Sequence, residues 1–140
     1  MSVFFVQHGG YDNHDNFQTE FDTLMLELDG GFGAFVDEMK LQGRWDDVTV
    51  VMVSEFARTL TENTSFGTDH AWGGNYFVAG GGISGKKILG EYPDTLTPDG
   101  DLIFEPGIVI PTTPWDALWN GLAQVSNIFK LFSIYFLSLH

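Results

Sequence analysis

Apolar residues gather into short runs that stop abruptly at polar, glycine-containing loops. Ser2–Val6 is apolar on both faces, the pattern of a central parallel strand rather than an alternating surface strand. It opens into His8-Gly9-Gly10-Tyr11-Asp12-Asn13-His14. Phe21, Leu24, Leu28, Phe32, Phe35 and Met39 then recur at steps of three and four, a helical stripe whose start Asp15 or Asn16 would cap. Gly30, Gly31 and Gly33 fall inside it, each at roughly 1 kcal/mol against alanine in a helix interior. The apolar period stays in phase across them, so one weakened helix is predicted instead of two. Gly43 marks its end. Val48–Val53 is a second continuous apolar run, and strand, helix and strand together predict a right-handed βαβ crossover.

Past that run come Ser54-Glu55-Phe56-Ala57-Arg58-Thr59 and then Gly67-Thr68-Asp69-His70-Ala71-Trp72-Gly73-Gly74-Asn75. Asn75–Gly80 predicts a third strand, and Lys86–Tyr92 a short strand or hairpin arm. Residues 93–111, with Pro93, Pro98, Pro106 and Pro111, form a loop-rich excursion. A final helix is predicted from Pro114, with Thr113 as cap and Trp115, Leu118, Trp119 and Leu122 on its inner face. Neither an internal repeat nor a linker to a second domain is visible.

Size fits this plan. At 140 residues and 44% hydrophobic, with 13 Phe and 4 Trp, the chain can bury one core. A net charge of −13 with six basic residues argues against nucleic acid and anionic membranes as partners. It suits cations, although an acidic surface also serves solubility. The absence of cysteine excludes disulfides and thiolate metal sites. Met1–Val6 has no basic segment and is expected to be a strand rather than a signal peptide. The apolar run Ile128–Leu139 contains Lys130 and is shorter than the roughly 20 residues of a membrane span.

His8, His14 and His70 all fall in the polar loops, each near a carboxylate. Loops at the carboxyl ends of parallel strands converge on one crevice, which would gather such residues. Imidazole nitrogen and carboxylate oxygen hold divalent transition metals and leave a coordination position open. Asp12 and His14, two apart on a glycine-preceded turn, would face one ion; alternatively Asp12 caps the turn and His14 is solvated. Glu55, directly after a strand predicted to be buried, would be costly unless metal-bound or paired. Arg58 is its obvious partner, or else a ligand for an anionic substrate oxygen. Asp69-His70 could serve two neighbouring ions, one each. Ser54 lacks the glycine-flanked elbow of a serine nucleophile, and the glycine runs lack a phosphate-binding spacing.

Taken in order, these segments resemble a bacterial exported family of unknown function (domain of unknown function fifteen-zero-one) in the alkaline phosphatase/sulfatase superfamily. The likeness runs over about residues 3–123, through the loops already quoted, Trp45–Val51, Gly90-Glu91-Tyr92-Pro93 and Ile110–Trp119. Ala57 and Ala71 replace glycines of the family pattern. The resemblance implies an α/β fold, a partial α/β/α sandwich with a mainly parallel sheet, corresponding to the C-terminal half of such proteins. It implies twin-arginine export to the periplasm. It also implies a centre of two divalent metal ions, zinc or manganese before calcium, held by Asp12, His14, Glu55, Asp69 and His70. Arg58 and Asn75 would touch the anion.

The expected function is that of a metal-dependent hydrolase of phosphate or sulfate esters, acting on a small anionic ester. With the half that carries the nucleophile absent, the isolated chain is expected to turn over little or nothing. The alternative is a non-catalytic metal-binding or protein-interaction module. Residues 1–123 would form the sulfatase-like unit and 124–140 a divergent apolar tail, with exposed sheet edges favouring self-association.

Overall fold

The structure, a computed structural model, describes residues 2–128 and 133–139, with side chains through residue 124. Its centre is strand β2, and the elements around it explain why. The first strand, β1 (Ser2–His8), leads through the histidine loop into helix α1 (Phe17–Leu41), a 3-10 turn (Trp45–Asp47) and strand β2 (Val48–Val53). Five short strands follow: β3 (Ala57–Arg58), β4 (His70–Ala71), β5 (Phe77–Ala79), β6 (Ile103–Phe104) and β7 (Ile108–Val109). Helix α2 (Trp115–Ile128) and strand β8 (Ser133–Leu139) complete the order.

One sheet has the order β1-β8-β2-β5. β8 runs parallel to both β1 and β2, and β5 runs antiparallel to β2 with Val51 opposite Val78. β3 and β4 form a separate antiparallel pair, as do β6 and β7. Among the described residues three of the five pairings are thus antiparallel, so the class is mixed α/β rather than the mainly parallel sheet expected. Short connections such as that between β6 and β7 can only return a strand antiparallel, because a parallel return needs a long crossover. β8, from the segment read in the sequence as a tail, lies between β1 and β2, so the two strands that α1 connects are not neighbours.

The continuous apolar run of β2 is explained by its place. With strands on both sides, Val48, Val50 and Val51 are 3% exposed or less and make the core. β1 has the same composition and a different fate. It stands at the sheet edge, with Val3, Phe4, Phe5 and Val6 between 46% and 64% exposed, instead of in the centre as predicted. Apolar composition reports a tendency to be covered; it does not supply the cover.

Helix α1 is continuous through its glycines, as the unbroken period predicts. Phe21, Leu24, Leu28, Phe32, Phe35 and Met39 are its half-buried face. Phe32 packs on Phe77 of β5 with ring centroids 5.8 Å apart. Its end is a glycine-capped stop: Gly43, at φ +66°, donates to Lys40 O, and Arg44 donates to Met39 O. Its start departs from expectation. Asn16 sits at the cap in the left-handed region and makes no side-chain cap bond. The amide of Asn16 goes to Ser65 O and that of Phe17 to Phe66 O, so a distant loop satisfies donors a cap would serve.

Helix α2 begins one residue past Pro114, with Leu118, Trp119 and Leu122 half-buried and Trp115 stacked on Trp119. The strand predicted over Lys86–Tyr92 is not formed. Lys86 at φ +59° and Gly90 at φ +86° break the extended backbone, and Ile88 and Leu89 are more than 80% exposed. Among the described residues no helix is long and apolar enough to cross a membrane. Residues 129–132, inside the apolar run noted in the sequence, lie outside the described residues.

Candidate metal centre

Two loops meet above the carboxyl end of β2. The chain leaves β2 at Val53, turns through Glu55 and Phe56, and pairs β3 with β4 so that Arg58 lies opposite His70 and Ala57 opposite Ala71. Ala57 and Ala71 are therefore register partners. Residues 63–69 are laced to the histidine loop by backbone bonds. Thr68 N–H reaches Asn13 O at 3.1 Å, and Asp15 and Phe66 form an isolated bridge. Gly67 lies so close to the His14 and Asp15 backbone that a Cβ there would overlap it.

This junction brings three candidate ligands together. Asp12, His14 and His70 each offer one donor atom, all within 4.8 Å of one another. Asp12 Oδ1 is 2.9 Å from His14 Nε2 and 2.9 Å from His70 Nε2. All three side chains are close to half exposed, so solvent and solutes reach them. The His70 ring lies flat on Phe56, with centroids 3.8 Å apart and planes at 13°.

The surroundings hold this group in place. Arg58 donates from Nε to Thr68 Oγ1 at 2.9 Å and from Nη2 to Asn13 O at 2.7 Å, and it also bonds Asp12 and Thr68 O. Four of its five N–H donors fasten the two loops. Asp69 takes the far nitrogen of His14, Nδ1 to Oδ1 at 3.0 Å. Asn63 donates to Asp69 Oδ1 at 3.1 Å and to His14 O at 3.0 Å, while its own Oδ1 accepts from Ser65 N and Gly67 N.

Two other candidates stand elsewhere. Glu55 is exposed, which removes the burial cost that singled it out in the sequence, and its carboxylate acts on Tyr76. Burial first, and Glu55 second, push the Tyr76 hydroxyl up. Asn75 donates to the Tyr92 hydroxyl at 2.5 Å. Among the described residues neither belongs to the Asp12 group. Asn63, Phe56 and Thr68 are the residues that sequence reasoning passed over. Only Asn63 carried a signal, as an amide residue placed to bond the backbone two residues on in a turn.

Protonation follows from the contacts. Burial would raise the Asp12 pKa, but hydrogen bonds from His70 and Arg58 and the nearby imidazoles outweigh it and hold the carboxyl below its usual value. Hydrogen bonds from His14 and Asn63 likewise lower Asp69. A carboxyl depressed in the folded state stabilises it above the unfolded value and loses that contribution as pH falls through the folded value. Wild-type stability is therefore expected to fall as pH drops through and below the ordinary aspartate value of about 3.9, more steeply than in D12N or D69N. Denaturant midpoints measured across that range check this; equal slopes in all three proteins would contradict it.

Asp, His and His form a set of two nitrogens and one oxygen, which suits a divalent transition cation with an open position. At bond lengths of 2.0–2.1 Å, tetrahedral donors stand roughly 3.3 Å apart. Asp12 Oδ1 is within a few tenths of an ångström of that spacing from both imidazoles. The donor chemistry of the three residues fits such an ion, their donor atoms lying within 4.8 Å of one another.

The sequence model of the family described as "Protein of unknown function (DUF1501)" matches residues 1–99, which is more than half of the chain. The chain belongs to that family. Neither a curated protein nor a solved structure matches it.

Proposed function

We propose, proceeding from membership in that family of unknown function, that the Asp12, His14 and His70 group binds a divalent transition cation. The reading is that of a metal-dependent hydrolase centre for phosphate or sulfate esters. The observation that carries it is the meeting of the three donor atoms within 4.8 Å from loops more than fifty residues apart. Two imidazoles favour zinc; manganese, which takes more oxygen donors, comes after it, and calcium prefers six to eight oxygens.

The chain's own residues divide the work. Asp12, His14 and His70 would hold the ion, and Phe56 fixes the plane of the His70 ring. Arg58 keeps Asp12 ionised and aimed inward. A bound cation would polarise an ester oxygen and offset charge on the group being transferred. The half-exposed face admits a small anionic ester. The α/β/α sandwich, alkaline phosphatase-like ancestry, export to the periplasm and a second cation drawing on Asp69 and Glu55 are the finer parts of this reading, and they rest on the resemblance of the loops.

A metal titration tests it. Zinc or manganese at about a hundredfold excess over Kd is expected to raise the melting temperature by roughly 8 °C, with no such rise in H70A. No shift in the wild-type protein, or an equal shift in H70A, would remove the metal reading.

A second reading, a non-catalytic interaction module, is favoured by exposed apolar surface. The chain exposes 9347 Å² at 15.6 kDa, against roughly 7,200 Å² for a folded monomer of that mass. Phe5 and Val3 on the β1 edge contribute to the excess, a surface suited to self-association.

A further inference from the structure

The two edges of the four-stranded sheet are built differently. β5 closes one side with three residues, Phe77–Ala79. β1 closes the other with seven, Ser2–His8, and among the described residues no strand pairs with its outer side. An edge strand offers a row of backbone donors and acceptors to any further strand. Proteins blunt such rows with short strands, charged side chains, prolines or bulges. β5 is short. β1 has none of these devices: its seven residues include no Asp, Glu, Lys, Arg or Pro, and its register with β8 runs unbroken from Ser2 to His8.

We infer that β1 is the joining strand of a homodimer, pairing antiparallel with β1 of a second copy about a two-fold axis. The inference deepens the interaction-module reading and rests on it, naming both the strand and the partner.

Self-complementarity selects a second copy of this chain. In a closed two-fold pair a residue on one face meets a residue on the same face. The register that uses all seven residues therefore sets Phe5 opposite the partner's Phe5, and Phe4 opposite the partner's Val6. Aromatic–aromatic and aromatic–β-branched pairs are the stabilising kind across strands. Area agrees. The chain exposes about 2,100 Å² more than a folded monomer of its mass, while each partner in a stable interface contributes roughly 800 Å². The joined sheet would end on the short β5 at both sides, so growth stops at two copies.

Charge gives the pairing a signature. Each copy carries −13 at neutral pH and β1 itself none of it, so repulsion between the copies acts at a distance and is screened by salt. Association is expected to tighten as salt rises. A partner drawn by charge would show the reverse.

Sedimentation of the full 140-residue chain tests this, with the chain as its own ligand. A dimer of twice 15.6 kDa is expected, its dissociation constant falling as salt rises from about 0.05 M to 0.5 M. F5K sets two ammonium groups against each other at the axis. It is expected to weaken the dimer at least about 30-fold and to keep the wild-type circular dichroism spectrum. Because the chain has no cysteine, single introduced thiols report the register. F5C is expected to form a disulfide-linked dimer on mild oxidation, since opposed Cα atoms of an antiparallel pair stand about 4.5–5.5 Å apart. V3C, whose two copies would stand about 13 Å apart, is not. A dimer unaffected by F5K, V3C crosslinking as readily as F5C, or association that weakens with salt would overturn the inference and leave the interaction reading standing. A monomer at every salt concentration would remove both. Should F5K not fold, the comparison of F5C with V3C decides.

Discussion

Gly67→Ala is expected to cost about 3 kcal/mol of stability and to abolish cation binding together. A Cβ at position 67 would stand well under 3.0 Å from the carbonyl carbon and oxygen of His14 and from the Asp15 nitrogen. These are backbone atoms, unable to swing aside as the end of a side chain can. Relief requires residues 63–69 to lift from the histidine loop, which breaks the bond from Thr68 N to Asn13 O and draws Asn63 away from His14. The three ligands then lose their common centre, because His14 comes from one loop and His70 from the other. Urea midpoints and a zinc titration measure the two effects. A variant with stability within about 0.5 kcal/mol of the wild type would show that the loops are not pressed together there.

The second large effect is expected at Arg58. Arg58→Ala removes bonds to Thr68 Oγ1, Asp12 and the carbonyls of Asn13 and Thr68. The Arg58 side chain is 18% exposed and Asp12 44%, so solvent screens the ion pair, and most of the loss comes from the bonds to Thr68 Oγ1, Thr68 O and Asn13 O, of which Asn13 O keeps the Thr68 amide. A loss of roughly 3 kcal/mol is expected. Arg58→Lys should recover little, because an ammonium cannot reproduce the planar fork. Asp12→Asn removes one charged acceptor and leaves the carbonyl bonds intact, so its effect on stability should be clearly smaller. If D12N and R58A destabilised the protein equally, the ion pair would be the real fastening and the carbonyl bonds incidental.

These two residues also show what kind of object the candidate centre is. Two of the candidate ligands come from the histidine loop and the third from the two-residue strand β4, none from the four-stranded sheet, and their arrangement depends on a lacing of turn residues. Gly67, Asn63, Arg58 and Thr68 touch no proposed ion, yet each fixes the relation between Asp12, His14 and His70. The centre is therefore expected to respond to substitutions in that lacing as strongly as to loss of a ligand.

Local patterns were legible along the chain. The α1 stripe follows from a 3.6-residue repeat, β2 from an unbroken apolar run that ends in a polar loop, and the stop at Gly43 from glycine's access to positive φ. Asp12, His14 and His70 could be named as candidate ligands because imidazole and carboxylate stand together in glycine-containing loops, a local feature of the sequence. Which of the candidates meet was decided only by tertiary structure. Glu55 lay exposed beyond the group, Asp69 turned to the far nitrogen of a ring 55 residues away in sequence, and Arg58 took Asp12 as a partner. Asn63, which binds the two loops, is of a type found in any polar turn. β1 matched β2 in composition and came to the edge, where among the described residues no strand pairs with its outer side. The physical reason is the same throughout. Periodicity and residue chemistry are properties of a few consecutive positions, whereas burial and contact depend on what the rest of the chain brings alongside.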